Sequence, residues 1–91
     1  MSATVADPVY LDGVFLPLAE ARISPLDRGF LFGDGAYEVI PVYSRRPFRL
    51  GQHLARLGAT LEAIRLPDPY PESRWTSLVE TLISGAPWDD Q

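Results

Sequence analysis

The chain contains no cysteine and no lysine, and its eight basic residues are all arginines. The absence of cysteine excludes disulfides, zinc–thiolate sites and thiol catalysis, and the absence of lysine excludes a lysine Schiff base formed by this chain. A single histidine, His53, is too little for a metal site, so no metal is expected. No apolar run approaches the roughly 18–20 residues that span a bilayer. Met1–Asp7 lack the basic start and apolar core of a secretory signal.

The charge balance narrows the range of partners. The formal net charge is −4 at pH 7, which argues against nucleic acid because phosphate neutralisation needs clustered positive charge. Nothing in the sequence indicates binding to a membrane, and we expect a cytoplasmic location. With 46% hydrophobic and 22% charged residues, the 91-residue chain has the composition of one globular domain. A domain of this size is expected to be only marginally stable by itself.

Strand signals dominate the first half of the chain. Pro8–Pro17 predicts a hairpin, because Asp12-Gly13 at its centre is a favoured two-residue turn. Leu18–Ile23 is expected to add a short extended piece. Ser24–Gly29 is rich in turn residues and is expected to be irregular.

The longest predicted strand runs over Gly35–Tyr43. Tyr37 and Val39 would point to one face of this strand, and Glu38 to the opposite face. Pro41 cannot donate a ladder hydrogen bond, so the strand is expected to form a sheet edge or to carry a bulge at that point.

Two amphipathic helices are predicted in the second half. Apolar residues spaced three and four apart predict a helix over Leu50–Ile64. The same spacing predicts a second helix over about Pro71–Ser84, with Gly85 as its stop signal. Arg45-Arg46 precede the first helix in a predicted turn, where both side chains are expected to be solvated.

The order of elements, strands first and helices second, predicts the fold class. It favours an α+β two-layer sandwich in which a mostly antiparallel sheet is covered by two helices. A doubly wound α/β arrangement is disfavoured, since no helix separates the early strands. We expect an N-terminal tail over residues 1–7, the domain over residues 8–85 and the start of a linker over residues 86–91.

A glycine-rich motif leads into the long predicted strand and includes its first residues. Its sequence is Asp27-Arg28-Gly29-Phe30-Leu31-Phe32-Gly33-Asp34-Gly35-Ala36-Tyr37-Glu38-Val39. Taken alone, its glycines indicate a tight turn that feeds a strand. Together with the helical His53-Leu54-Ala55-Arg56-Leu57, it resembles the N-terminal domain of the class IV (fold-type IV) pyridoxal-phosphate-dependent aminotransferases. The string Gly-Ala-Tyr-Glu-Val resembles the D-amino-acid aminotransferases more than the branched-chain aminotransferases or the aminodeoxychorismate lyases.

The resemblance implies a cofactor site and a substrate site. Arg56 would bind the phosphate of pyridoxal 5′-phosphate, for which a guanidinium fork is suited in charge and shape. His53 would support Arg56 from one helical turn away. Tyr37 would line the substrate pocket together with Val39, which shares its strand face. The alternatives are a solvated arginine on a helix flank and a half-buried tyrosine of a sheet.

Two further residues of the motif are given a supporting role. In the family that the motif resembles, an arginine and a glutamate at the positions of Arg28 and Glu38 are thought to pair. We therefore predict an ion pair between Arg28 and Glu38 that fixes the glycine-rich loop. Neither residue is a strong candidate for acid–base catalysis.

The resemblance implies that the chain is the N-terminal part of a transaminase. The complete enzyme would transfer an amino group between D-amino acids and 2-oxo acids as a homodimer. Its catalytic lysine would be supplied by a second domain or a second chain. No catalytic residue is assigned to this chain, which is expected to be inactive alone. The alternative from another class is a non-catalytic binding or assembly module that keeps the fold.

Overall fold

The computed structural model describes residues 7–91, in which short strands and helices form an α+β fold. In chain order the elements are β1 (Pro8–Leu11), β2 (Val14–Pro17), a 3-10 helix (Leu18–Glu20), α1 (Arg28–Phe32), β3 (Val42–Tyr43), β4 (Arg46–Pro47), α2 (Leu50–Ala63) and α3 (Glu72–Gly85). The strands pair as two antiparallel hairpins, β1 with β2 and β3 with β4. The predicted fold class is confirmed. The predicted tail, apart from Asp7, lies outside the described residues.

The first hairpin forms where it is predicted. Its turn residues, Asp12 and Gly13, have left-handed φ angles of 51° and 85°, which match the twist of the flanking strands. Tyr10 lies opposite Phe15 in the register, and their rings are 4.8 Å apart between centroids. The extended piece predicted after the hairpin is wrong. A 3-10 turn forms there instead, closed by the N–H of Ala21 donating to the carbonyl of Leu18 at 3.0 Å.

The two long helices predicted from the apolar spacing of the sequence are confirmed. The first ends one residue before the predicted end, and the second is shifted by one residue and includes Gly85. α3 packs against both α2 and β1. The buried apolar residues come mainly from these helices: Val42, Leu54, Leu61, Leu78, Ile83 and Ala86. Within residues 7–91, no helix combines the length and the apolar content needed to cross a membrane.

The long strand predicted over Gly35–Tyr43 is wrong over most of its length but right in its periodicity. Only its last two residues, β3, form a ladder, while residues 35–41, here called the alternating segment, have no strand partner among residues 7–91. Its side chains nevertheless alternate: Gly35, Tyr37 and Val39 are exposed, and Ala36, Glu38 and Ile40 are half-buried. The ladder with β4 ends at Pro41, whose carbonyl accepts the N–H of Phe48 at 2.8 Å. Proline has no N–H to return.

A short helix, α1, begins at the end of the segment that is predicted to be irregular. Asp27 caps it, because its carboxylate accepts the backbone N–H of Phe30 at 3.3 Å. Gly33 ends it in a left-handed conformation with φ of 71°, which glycine adopts without steric cost. The helix is only one and a half turns long, too short for an apolar stripe to reveal it.

Arg45 lies in the turn of the β3–β4 hairpin and is exposed there, as predicted, and it also joins this hairpin to the C-terminus of α3. Its guanidinium donates to four backbone carbonyls: Ile83 at 2.7 Å, Ala86 at 2.9 Å, Trp88 at 3.0 Å and Ser84 at 3.4 Å. The last carbonyls of a helix lack intrahelical donors and carry partial negative charge, so a cation there is stabilising. Arg46 is exposed, as predicted.

We expect Arg45→Ala to lower the free energy of unfolding by about 1.5 kcal/mol, because several charge-assisted hydrogen bonds to backbone carbonyls at and after the end of α3 are lost. Arg46→Ala removes the same charge from the neighbouring position and serves as the control, with an expected loss under about 0.5 kcal/mol. Urea denaturation measures both. Equal losses in the two variants would contradict the role given to Arg45.

Candidate functional site

The polar side of α2 contacts one carboxylate, that of Glu38. The side chain of Glu38 is only 8% exposed and lies on the half-buried side of the alternating segment, between Ala36 and Ile40. An ionised group in such apolar surroundings requires hydrogen-bonding partners of opposite charge. α2 supplies them from His53 and Arg56, which share a helix face because they are three residues apart.

Glu38 accepts three hydrogen bonds from these two residues. Arg56 donates from Nε to Oε2 at 2.7 Å and from Nη2 to Oε1 at 2.7 Å, a side-on bidentate pair. The Nδ1 atom of His53 lies 2.8 Å from Oε1. Because an ionised carboxylate only accepts hydrogen bonds, His53 donates to Glu38 through Nδ1.

The same contacts fix the charge state of Glu38. Hydrogen bonds from Arg56, and then from His53, lower the pKa of Glu38 to about 2, and burial opposes this only in part. Reciprocally, the hydrogen bonds to Glu38 raise the pKa of Arg56. The carboxylate therefore stays ionised at neutral pH. It can orient the two donors, but it cannot act as a proton donor there.

Arg56 retains the capacity to bind an anion. Glu38 engages two of the five guanidinium N–H groups, and the Arg56 side chain remains 67% exposed. With Arg49, Gln52 and His53, it lines an open cavity of about 280 Å³. Two guanidinium groups and an amide at one cavity suit the charge and oxygen geometry of a phosphate ester.

Tyr37 and Val39 lie on the other side of the alternating segment from Glu38, as the strand periodicity predicts. Their exposed fractions are 85% and 71%. Tyr37 also borders an apolar cavity of about 430 Å³ between the alternating segment, α2 and α3. This cavity is separate from the one that Arg56 lines, and Glu38 connects the two because it borders the first and hydrogen-bonds to Arg56.

The ion pair predicted between Arg28 and Glu38 is wrong. Arg28 donates from Nε to Oδ2 of Asp34 at 2.6 Å, and its guanidinium carbon lies 4.8 Å from the centroid of the Phe32 ring. The left-handed Gly33 that ends α1 reverses the chain and returns Asp34 to the start of the helix. The loop is thus fixed by a local pair, and Arg28 stands apart from the group formed by Glu38 and α2.

Two pairings were not predicted: Glu38 with Arg56 and His53, and Arg28 with Asp34. The sequence contains a signal for each of them. Alternation already directs Glu38 away from Tyr37, and His53 and Arg56 flank the apolar stripe of the predicted helix. A lone acid directed toward a helix that has a basic flank predicts an ion pair between them. For Asp34, the signal is the glycine before it, which permits a tight reversal.

Comparison with known proteins identifies the class. Residues 35–90, more than half of the chain, match the family described as Amino-transferase class IV. The segment from the alternating segment through α3, including Glu38, His53 and Arg56, falls within this match. The chain therefore belongs to the class IV aminotransferases, and the resemblance drawn from the glycine-rich motif is confirmed.

Two curated relatives share one name. The chain is 37% identical over 65 residues to the D-alanine aminotransferase of Listeria monocytogenes serotype 4b (strain F2365), a match that covers 71% of this chain and 22% of that protein. It is 34% identical over 77 residues to the D-alanine aminotransferase of Staphylococcus aureus (strain N315), covering 85% of this chain and 27% of that protein. The chain thus corresponds to about a quarter of the length of these relatives.

The lowered pKa of Glu38 predicts an acid-sensitive contribution to stability. A carboxylate whose pKa falls on folding stabilises the folded state fully above its unfolded pKa, about 4.3. That contribution is lost as the pH falls toward about 2, where the folded carboxylate takes up its proton. We expect the free energy of unfolding of the native chain to fall more steeply than that of Glu38→Gln between these pH values. Urea titrations at several pH values measure this, and parallel curves for the two proteins would contradict it.

Proposed function

We propose that this chain is the N-terminal part of a pyridoxal-phosphate-dependent aminotransferase that transfers an amino group between D-amino acids and 2-oxo acids. Its family membership and the name shared by its relatives support this proposal. The observation that carries it is the side-on pair between Glu38 and Arg56. This pair holds the guanidinium in place and leaves further N–H groups for an anion.

The residues around the smaller cavity fit the phosphate end of pyridoxal 5′-phosphate. Arg56 would hold the phosphate, and His53 would support it by sharing the carboxylate of Glu38. When bound, the cofactor supplies an electron sink for reactions at the substrate α-carbon. Since the chain contains no lysine, the lysine that bonds to the cofactor would come from a second domain or a second chain, and this chain alone would be inactive.

Tyr37 and Val39 would form one wall of the substrate pocket. The phenol O–H of Tyr37 can donate to a substrate carboxylate, while its ring excludes water from that side. Val39 would offer an apolar contact to the substrate side chain. Both side chains are exposed among residues 7–91, which leaves them accessible to a substrate.

The complete enzyme would be a cytoplasmic homodimer. Large apolar side chains around α1 are exposed, with Leu26 at 78% and Phe30 and Phe32 at 66% each. Several large apolar side chains exposed within one short stretch of sequence are typical of a region that another domain or subunit covers. The proposed partners are therefore the lysine-bearing domain, a second copy of the enzyme, and the amino acid and 2-oxo acid substrates.

In the complete, lysine-bearing enzyme, we expect Arg56→Ala to weaken retention of pyridoxal 5′-phosphate about 10- to 100-fold, because a charge-assisted phosphate contact is lost. Arg46→Ala removes the same charge from an exposed position outside the cavity and should leave retention unchanged. Equilibrium dialysis followed by cofactor absorbance measures both. Unchanged retention in Arg56→Ala would refute the assignment and favour the non-catalytic module.

Tyr37→Phe removes only the hydroxyl. We expect it to raise the KM for the amino acid about tenfold, the effect of losing one hydrogen bond to a charged group, while the cofactor content stays unchanged. Tyr43→Phe is the matched control, since Tyr43 is also exposed on the odd-numbered face. Steady-state kinetics of both variants measure the difference. An equal KM in the two variants would exclude Tyr37 from the carboxylate site.

A further inference from the structure

The dipeptide Asp-Gly occurs at two places in the chain, Asp12-Gly13 and Asp34-Gly35. Aspartate before glycine is prone to rearrange through a cyclic imide, because glycine has no side chain to shield its backbone nitrogen from the aspartate carboxyl group. The backbone at such a pair also rotates more freely than at others. The two pairs differ in what restrains them, so we expect them to react at different rates.

The first hairpin restrains Asp12-Gly13. Both residues have left-handed φ angles, and the strands pair on either side of them, with Leu11 opposite Val14. Closure of the imide ring requires the bond between the aspartate Cα and its carbonyl carbon to rotate until the glycine nitrogen reaches Cγ. The ladder opposes this rotation, because it fixes the chain on both sides of the turn.

Asp34-Gly35 lies where the chain leaves α1 and enters the alternating segment. Both residues are exposed, and in the part of the chain that the structure describes the backbone N–H of Gly35 has no hydrogen-bond acceptor. Together with Gly33, Ile64 and Leu66, the pair lines an open cavity of about 410 Å³. The nitrogen of Gly35 is therefore free to react, and water can reach the ring that would form.

Within residues 7–91, one hydrogen bond holds the side chain of Asp34. Arg28 donates from Nε to Oδ2 of Asp34 at 2.6 Å, and the two side chains are 73% and 45% exposed. This bond holds the carboxylate toward the start of α1, and the bonded oxygen cannot leave as water while it accepts it. An ion pair between two exposed groups is weak, so the contact slows the reaction without preventing it.

We propose that Asp34-Gly35 is a site of spontaneous conversion to isoaspartate and that the guanidinium of Arg28 restrains this reaction. The nitrogen of Gly35 bonds to Cγ of Asp34, the Cγ–OH bond of the protonated carboxyl group breaks, and water leaves with the amide proton. A second water then adds to the main-chain carbonyl carbon of the imide. The bond from that carbon to nitrogen breaks, and nitrogen takes up the proton of the water. The chain then continues through Cγ, and no oxidant or reductant is needed.

The product has one additional methylene group in the backbone between Asp34 and Gly35. This added group changes the path of the chain from α1 into the alternating segment, which carries Tyr37. In the proposed function, the substrate wall would therefore be displaced and activity would decline as the protein ages. That consequence rests on the proposed function, whereas the isomerisation itself does not.

Peptide mapping of the aged protein tests the proposal, because chromatography separates isoaspartyl from aspartyl peptides and the imide is lighter by one water. The native protein and three variants are incubated at neutral pH and sampled over time. Gly35→Ala shields the attacking nitrogen, and it fits because the φ of Gly35 is not left-handed and no atom lies within 4 Å of the added Cβ. Arg28→Ala removes the restraint. Arg46→Ala removes the same charge from another exposed position, and Asp12 is the reference within each sample.

We expect isoaspartate to accumulate faster at Asp34 than at Asp12 in the native protein. In Arg28→Ala the rate at Asp34 should rise a further two- to fivefold, roughly the range for loss of an exposed ion pair. Arg46→Ala should match the native protein, and Gly35→Ala should lose the reaction at Asp34 alone.

No isoaspartate at Asp34, or faster accumulation at Asp12, would overturn the assignment of the reactive pair. An unchanged rate in Arg28→Ala, or an equal acceleration at Asp12, would overturn the role given to Arg28. None of these readouts involves the cofactor or activity, so their failure is distinguishable from failure of the proposed function.

Discussion

The contact between the alternating segment and the polar face of α2 depends on the ionised carboxylate of Glu38. It joins a segment with no strand partner among residues 7–91 to a stable helix through three short hydrogen bonds. A charge so little exposed is tolerated only with partners of opposite charge, and α2 presents Arg56 and His53 on one face. These hydrogen bonds thus hold the segment in a fixed position against the helix.

The two-residue period of the alternating segment lets one stretch of chain serve two purposes. On one side, Glu38 fixes the segment to α2 and orients Arg56. On the other side, the same backbone displays Tyr37 and Val39 on an open face. In the proposed function, phosphate binding by Arg56 and substrate binding by Tyr37 would be coupled through this backbone, since a shift of Glu38 would move both. Such coupling would suit a transferase that must hold cofactor and substrate in a fixed geometry.

Local signals in the sequence predicted the elements that depend on local interactions. The turn at Asp12-Gly13 and the apolar spacing of α2 and α3 predicted the first hairpin and both helices to within a residue or two. The long strand was predicted without its pairing, because pairing depends on which distant segments lie alongside and on Pro41, which ends the ladder with β4. For the site, resemblance to a family pointed to Arg56. The contact between Arg56 and Glu38 was missed because it packs a residue of the alternating segment against a helix residue 18 positions further along the chain, and the two patterns that indicate it lie in separate segments.

Arg45 occupies a left-handed conformation, with φ of 61°, in a turn where glycine or asparagine is ordinarily preferred. Such a conformation costs a side-chain-bearing residue about 1 kcal/mol. Its hydrogen bonds to the α3 carbonyls outweigh that strain. A glycine would relax the backbone but would remove these hydrogen bonds, and with them the link between the hairpin and the helix end.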